Sequence, residues 1–348
     1  MIKSNNIRIV VAMSGGVDSS VAAALLKKRG FDVVGIFMKF WKDGQSLDNR
    51  CCSIESEKLA RLVAKKLDIP FYVLNVEKEF KKKVVDYFLK EYKAGNTPNP
   101  CVVCNKEIKF GFLINKALTL GADYVATGHY AQQQSFASVR LFCAKDTEKD
   151  QTYFLCQLNQ KQLKHVLFPV GNYKKSEVRK LAKKFDLPVA ETKESQEVCF
   201  IPDTTDNFLK KYLKTKPGKV IDEKGNILGE HEGLWFYTIG QRKGIGLSGG
   251  PYYVIGKDLK DNALIISKNQ KDLLKKELFV KNVNWLSGKK PKLPLKIKVR
   301  IRYRNKLAEA TIDKKYKITF AKPQRAITPG QSAVFYKGEE LLGGGVIR

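Results

Sequence analysis

The stretch IRIVVAMSGGVDSS, residues 7–20, runs a strand-like apolar segment into a Ser-Gly-Gly-Val-Asp-Ser turn and then into a helix-forming sequence. Gly15 and Gly16 permit close backbone approach, and the amides around Ser14 to Ser20 can converge on an anion at the positive end of the following helix. An ATP pyrophosphate can be cradled in this way. No Gly-Lys-Ser/Thr follows the glycines, so the loop is not of the Walker A type and γ-phosphoryl transfer is disfavoured. The plain alternative is an ordinary Gly-rich strand-to-helix turn, which leaves Asp18 and the three serines unexplained.

Outward from this loop, residues 1 to about 200 alternate strand-like and helix-like runs, the pattern of a Rossmann-like α/β domain whose parallel sheet carries helices on both faces. The spacing predicts strands at Ile7 to Met13, Val33 to Phe40, Phe71 to Asn75 and Tyr124 to Thr127. Leu59, Leu62, Val63 and Leu67 share one helical face, as do Val178, Leu181, Ala182 and Phe185, and core packing accounts for both. After Cys199, Pro217-Gly218, a turn at Glu223 to Asn226 and the Gly-flanked loop Gly240 to Gly250 punctuate short segments. Period-2 segments beyond residue 273 read as an antiparallel barrel or sandwich. Three domains are therefore expected, at 1–204, 205–273 and 274–348.

The chain has 348 residues, with 64 Lys and Arg against 35 Asp and Glu, a formal charge of +29 that would concentrate a polyanion. RNA or DNA is the expected partner, although Lys-rich composition alone also raises charge. No apolar run is long enough to span a bilayer, and the loop at Ser14 leaves little room for a targeting peptide, so a cytoplasmic location is expected. One strand concentrates the charge. Leu295, Ile297, Val299, Ile301 and Tyr303 alternate with Lys296, Lys298, Arg300, Arg302 and Arg304. Same-face neighbours lie about 7 Å apart, within a Debye length of about 8 Å, so this face either meets a phosphate backbone or is balanced by acidic residues nearby.

Seven cysteines in a reducing compartment are not expected to form structural disulfides. The segment NTPNPCVVCNKEIKF, 96–110, sets Cys101 and Cys104 at the start of a helix-like run with Lys106 close by, a setting that favours the thiolate. Cys199 follows where the first domain ends. Zinc wants four ligands and finds no second Cys-x-x-Cys, and a thioredoxin-type motif lacks its fold context. Cys51, Cys52, Cys143 and Cys156 read as packing residues.

The loop resembles the PP-loop of the ATP pyrophosphatases, and with the cysteines the whole chain resembles the tRNA-specific 2-thiouridylases. The blocks that carry the resemblance are SGGVDSS at 14–20, FMKFW at 37–41, AGNTPNPCVVCNKEIKF at 94–110 and ATGHYA at 126–131. They continue with KDQTYFL at 149–155, FPVG at 168–171, CFI at 199–201, GQRKG at 240–244 and TPGQ at 328–331.

The resemblance implies ATP-dependent 2-thiolation of the wobble uridine, position 34, in tRNAs for Lys, Glu and Gln. It implies a nucleotide lined by Ala12, Met13, Ser14, Gly15, Gly16, Val17, Asp18 and Ser19, with Met38 and Gly128 at the adenosine and Mg²⁺ at Asp18. Sulfur would come from a cysteine desulfurase relay protein or inorganic sulfide, ride on Cys199 as a persulfide and be released with the help of Cys104. Many relatives carry Asp where this chain has Cys101, so Cys101, Cys104 and Cys199 could instead hold a [4Fe-4S] cluster with one open iron. Both routes stay open at this point. For the tRNA anticodon stem-loop, the resemblance implies Asn99, Pro100 and Cys101 at the target base, His129 and Lys149, Asp150 and Gln151 beside it, and Arg302, Tyr303 and Gln331 from the last domain. By its residues alone, His129 also reads as a satisfied buried histidine. The competing functions are another PP-loop tRNA-modifying ligase, which needs no paired thiols, and a basic RNA-binding protein without turnover.

Overall fold

In the computed structural model, which describes residues 7–43, 52–192 and 198–348, the first sheet is parallel throughout. Its strands are β1 (Arg8–Ala12), β2 (Asp32–Lys39), β3 (Phe71–Asn75), β4 (Tyr124–Ala126) and, after a hairpin of β5 (Gln132–Ser135) and β6 (Val139–Phe142), β7 (Val166–Leu167). The spatial order β3-β2-β1-β4-β7 puts the reversal of strand order between β1 and β4. Ligands of open α/β sheets bind at such a switch point, outside the carboxyl ends of the strands. Helices α1 (Val17–Lys28) and α2 (Ile54–Lys66) follow β1 and β2. The four expected strands are present within a residue or so of their bounds; the two-residue β7 is too short to show a pattern. On α2, Val63 is buried and Leu59 and Leu67 pack on the core, but Leu62 is 52% exposed, so the expected stripe is one residue too wide.

The second unit holds β8 (Gly218–Ile221), β9 (Ile227–His231), β10 (Tyr253–Asp258) and β11 (Ala263–Ser267) in the order β10-β11-β8-β9. The β8–β9 turn is made by Asp222, whose carboxylate accepts from the amides of Lys224 and Asn226, with Gly225 at φ +88°.

The third unit is a closed antiparallel barrel of β12 (Leu274–Trp285), β13 (Leu295–Arg300), β14 (Ala308–Ile312), β15 (Lys317–Arg325), β16 (Ser332–Lys337) and β17 (Glu340–Ile347). Pairing of β12 with both β15 and β17 closes it, and closure removes free sheet edges. Ile297 and Val299 point into its core, as the alternation requires. That alternation stops early, because the chain bends after Arg300 and Arg304 takes a left-handed φ of +65°. The β5–β6 hairpin of the first unit extends the barrel sheet, with Leu141 opposite Leu341 and Arg140 ion-paired to Glu340. Among the described residues no helix is long and apolar enough to cross a membrane.

Candidate nucleotide and thiol site

The phosphate loop sits at the carboxyl end of β1, where Gly15 has φ +76° and a Cβ there would lie 2.2 Å from the carbonyl oxygen of Ser56 on α2. Only glycine fits that contact. Gly16 is the N-cap of α1 and supplies no side-chain cap, so the first amides of this 12-residue helix have no capping side chain. Inside the turn, the Ser14 amide donates to Ser19 Oγ at 3.2 Å, and the Ser19 and Ser20 hydroxyls donate to the Gly16 carbonyl at 3.2 and 2.8 Å. The serines thus shape the turn from within. Gly128, just beyond β4, closes it from the other side: a Cβ there would stand 2.6 Å from the Ser19 amide nitrogen and 2.7 Å from the Asp18 carbonyl carbon. Met38 lies on β2 and is 7% exposed, so any contact with an adenosine there is made chiefly by its backbone.

Asp18 occupies the first turn of α1, where a carboxylate is favoured by the helix dipole. Its Oδ1 accepts from the Tyr130 hydroxyl at 2.7 Å, and Lys175 Nζ donates to Oδ1 and Oδ2 at 2.6 and 2.8 Å. Lys175 is 9% exposed and opens the helix Lys175–Lys184. Neither Lys175 nor Tyr130 was singled out from the sequence. A lysine 157 positions from Asp18, in a run of other lysines, carries no local signal. The arrangement fits Mg²⁺ only as an ion arriving on nucleotide phosphates, the usual way Mg²⁺ is held by one carboxylate.

The thiol-bearing helix Pro100–Cys104 is started by Asn99, whose Oδ1 accepts from the Val102 amide at 3.3 Å, and by Pro100 in its first turn. Cys101 faces outward and is exposed, whereas Cys104 is 7% exposed in the main core. The chain continues through a wide-turned π-helical stretch, Asn105–Phe112, of the kind common at functional sites. Cys199 is partly buried and packs against the same core. Among the described residues no group of three or more His, Cys, Asp or Glu side chains could hold a metal ion. The expected cluster set of Cys101, Cys104 and Cys199 is not among such groups; Cys101 is exposed and Cys104 buried. Cys51 lies outside the described residues, and Cys52 is buried. Burial raises the thiols of Cys143 and Cys156 to about 12, consistent with inert packing.

Several expected RNA contacts have other work. Asp150 is 3% exposed, and its carboxylate accepts from Arg300 Nη1 at 2.9 Å, the Thr152 hydroxyl at 2.9 Å and the Ala144 amide at 3.2 Å. Its burial beneath the barrel removes it from an RNA surface and, in the same step, removes Arg300 from the cationic face. Gln151 accepts from the Tyr130 amide through Oε1 at 3.0 Å. Gln331 Nε2 donates to the carbonyls of Thr97 and Pro98 at 2.9 and 3.2 Å, and Pro100 is buried. The Tyr303 ring packs on Phe154 at a centroid distance of 4.5 Å rather than standing clear for a base. His129 shares a 2.8 Å hydrogen bond between Nδ1 and the Thr127 hydroxyl and packs between Phe110 and Phe168. Burial first, and Lys109 second, hold its pKa well below the usual imidazole value, so it is neutral. Arg302 and Cys101 remain exposed, and Lys149 is partly exposed.

Three family models match the chain: tRNA methyl transferase HUP domain over residues 7–203, tRNA methyl transferase PRC-barrel domain over 206–268 and aminomethyltransferase beta-barrel domain over 275–347. The tRNA-specific 2-thiouridylase MnmA 2 of Thermoanaerobacter sp. (strain X514) is 48% identical over 357 residues, covering 98% of each chain. MnmA of Clostridioides difficile (strain 630) is 47% identical over 355 residues, again covering 98% of each. The solved U34-tRNA thiolase NcsA from Methanococcus maripaludis with its [4Fe-4S] cluster is 20% identical at a TM-score of 0.38, covering 61% of this chain and 69% of its own, a likeness too slight to argue from. With the phosphate loop, the thiol turn and the barrel all falling inside a similarity that spans the full length, the chain belongs to the tRNA-specific 2-thiouridylase family.

Proposed function

We propose that this chain uses ATP to replace the C2 oxygen of the wobble uridine with sulfur in the tRNAs for Lys, Glu and Gln. A carbonyl oxygen is a poor leaving group, and attack of that oxygen on the α-phosphate converts it into AMP while releasing pyrophosphate. The chain's part is to hold the charge that develops on the pyrophosphate. The side-chain-free amides at the start of α1 face it, Lys175 adds a cation beside them, and Asp18 takes the Mg²⁺ carried by the nucleotide. Bound Mg²⁺ would neutralise phosphate oxygens as the bond to the leaving pyrophosphate breaks. Gly128 keeps this turn against the end of β4, which supports a nucleotide bound in the switch-point crevice.

In the second step the terminal sulfur of a Cys199 persulfide attacks C2 and AMP leaves. The Cys104 thiolate then attacks Cys199 Sγ, which breaks the sulfur–sulfur bond to the base and leaves a Cys104–Cys199 disulfide for an external dithiol to reduce. No step passes through a [4Fe-4S] cluster, since a persulfide relay needs only the Cys104 and Cys199 thiols.

The observation that carries this reading is the phosphate turn itself, locked by Gly15 under Ser56 and by Gly128 under Asp18 and Ser19, with an uncapped helix start open above it. Unmodified tRNA, ATP, Mg²⁺, a persulfide-loaded desulfurase relay protein and a dithiol reductant should yield 2-thiouridine, AMP and pyrophosphate in equal amounts. Cys104→Ala and Cys199→Ala should abolish the sulfur product. Unimpaired product in both variants points instead to a ligase that needs no thiols.

A further inference from the structure

The loop that leads into Cys101 and Cys104 is held at 94–96 by amide bonds back to the preceding helix, whereas Thr97, Pro98 and the Gly95 carbonyl are held by the other two units. From the barrel, Gln331 Nε2 donates to the Thr97 and Pro98 carbonyls, and the Thr97 amide donates to the Pro329 carbonyl at 2.9 Å. Gly330, at φ +91°, sits so close that a Cβ there would lie 2.9 Å from the Thr97 nitrogen and oxygen. From the central unit, Lys257 Nζ donates to the Gly95 carbonyl at 2.9 Å and the Thr238 and Thr97 hydroxyls meet at 3.1 Å. Prolines at 98 and 100 bring no amide of their own, so the segment from Thr97 to Pro100, which leads directly into Cys101, relies on these bonds from outside its own domain.

We propose that Gln331 and Lys257 are positioning residues for the sulfur-transfer step, which fix the Cys101–Cys104 turn from the two units outside the nucleotide domain. This rests on the functional reading above. Neither residue touches the nucleotide turn described here, so the two half-reactions should separate. Displacing a reacting group by about 1 Å costs on the order of 10²-fold in rate, and sulfur transfer, which uses the thiols, should lose more than adenylation, which does not.

The test uses the full chain with Gln331→Met and Lys257→Met, which keep volume and remove the donor. Expected are a KM for ATP within about twofold of wild type and 2-thiouridine formed per AMP lower by about tenfold or more. The alkylation rate of Cys101 by iodoacetamide, followed by mass spectrometry in the absence of tRNA, should change by a similar factor. Lys257→Arg should restore both readouts. An unchanged product-to-AMP ratio and an unchanged Cys101 rate in both variants overturn the inference. So does a loss of tRNA affinity with the ratio intact, which would make Gln331 an RNA contact. If wild-type protein makes no 2-thiouridine, the functional reading falls instead, and the Cys101 rate still decides whether the two units brace the loop.

Discussion

Gly128→Ala places a methyl group 2.6 Å from the Ser19 amide nitrogen and 2.7 Å from the Asp18 carbonyl carbon, both backbone atoms that cannot rotate away. Ordinary contact begins at 3.4 Å, so the first turn of α1 must retreat by roughly 0.8 Å or the end of β4 must give by as much. Overpacking of this kind costs about 1–3 kcal/mol of stability. The larger effect is expected on chemistry, because the same amides are those proposed to face the pyrophosphate: a misplacement approaching 1 Å lowers the rate by about 10- to 100-fold. The assay is tRNA-dependent AMP formation at saturating tRNA, with the melting temperature measured in parallel. Gly121→Ala is the control, since its φ is +78° with nothing within 4 Å of the added Cβ, and it should cost about 1 kcal/mol of backbone strain without touching catalysis. A folded Gly128→Ala protein that makes AMP within twofold of wild type would refute the reasoning.

Asp18→Asn should lower AMP formation by about 10²-fold and also lower the melting temperature, because it takes the Asp18 counter-charge from the buried Lys175 ammonium, while Lys175→Met should weaken ATP binding more than AMP binding, both read by calorimetry and AMP release. Asp150→Asn leaves the Arg300 guanidinium, 12% exposed, without its counter-charge beneath the barrel; a loss of about 3 kcal/mol is expected in chemical denaturation of the full chain. His129 is held neutral with a folded pKa below its unfolded value near 6.5, so the unfolded chain takes up the proton first on acidification. The stability this contributes is present above about pH 6.5 and is lost as pH falls through the folded pKa. Wild-type melting temperature should therefore drop more between about pH 7 and pH 5 than that of His129→Gln.

Where a feature rests on neighbours in sequence, it was legible. The glycines and serines of 14–20 carry their own backbone requirements, and β1 to β4 and the barrel strands announce themselves by apolar runs or period-2 alternation. Where a polar side chain acts through a distant partner, it was not. Asp150 and Arg300, 150 positions apart, each look like solvent-exposed charges in sequence, yet together they form a buried pair, because neither could be buried alone without a prohibitive desolvation cost. Gln331 shows the same limit, since an amide that can meet RNA can as well satisfy two carbonyls of a proline-rich loop.

The β5–β6 hairpin joins the barrel sheet although it lies more than a hundred residues before β12, the first of the six barrel strands. By itself, then, the sequence determined the phosphate turn, the parallel sheet behind it and the antiparallel strands of the last unit, all of which follow from local conformational preference and hydrophobic period. Tertiary structure alone decided that Lys175 and Tyr130 hold Asp18, that Cys104 is buried while Cys101 is exposed, that the barrel closes, and that the barrel and central unit bond to the thiol loop. Those outcomes depend on which buried donors and acceptors the packed units leave for one another, and no local pattern encodes that pairing.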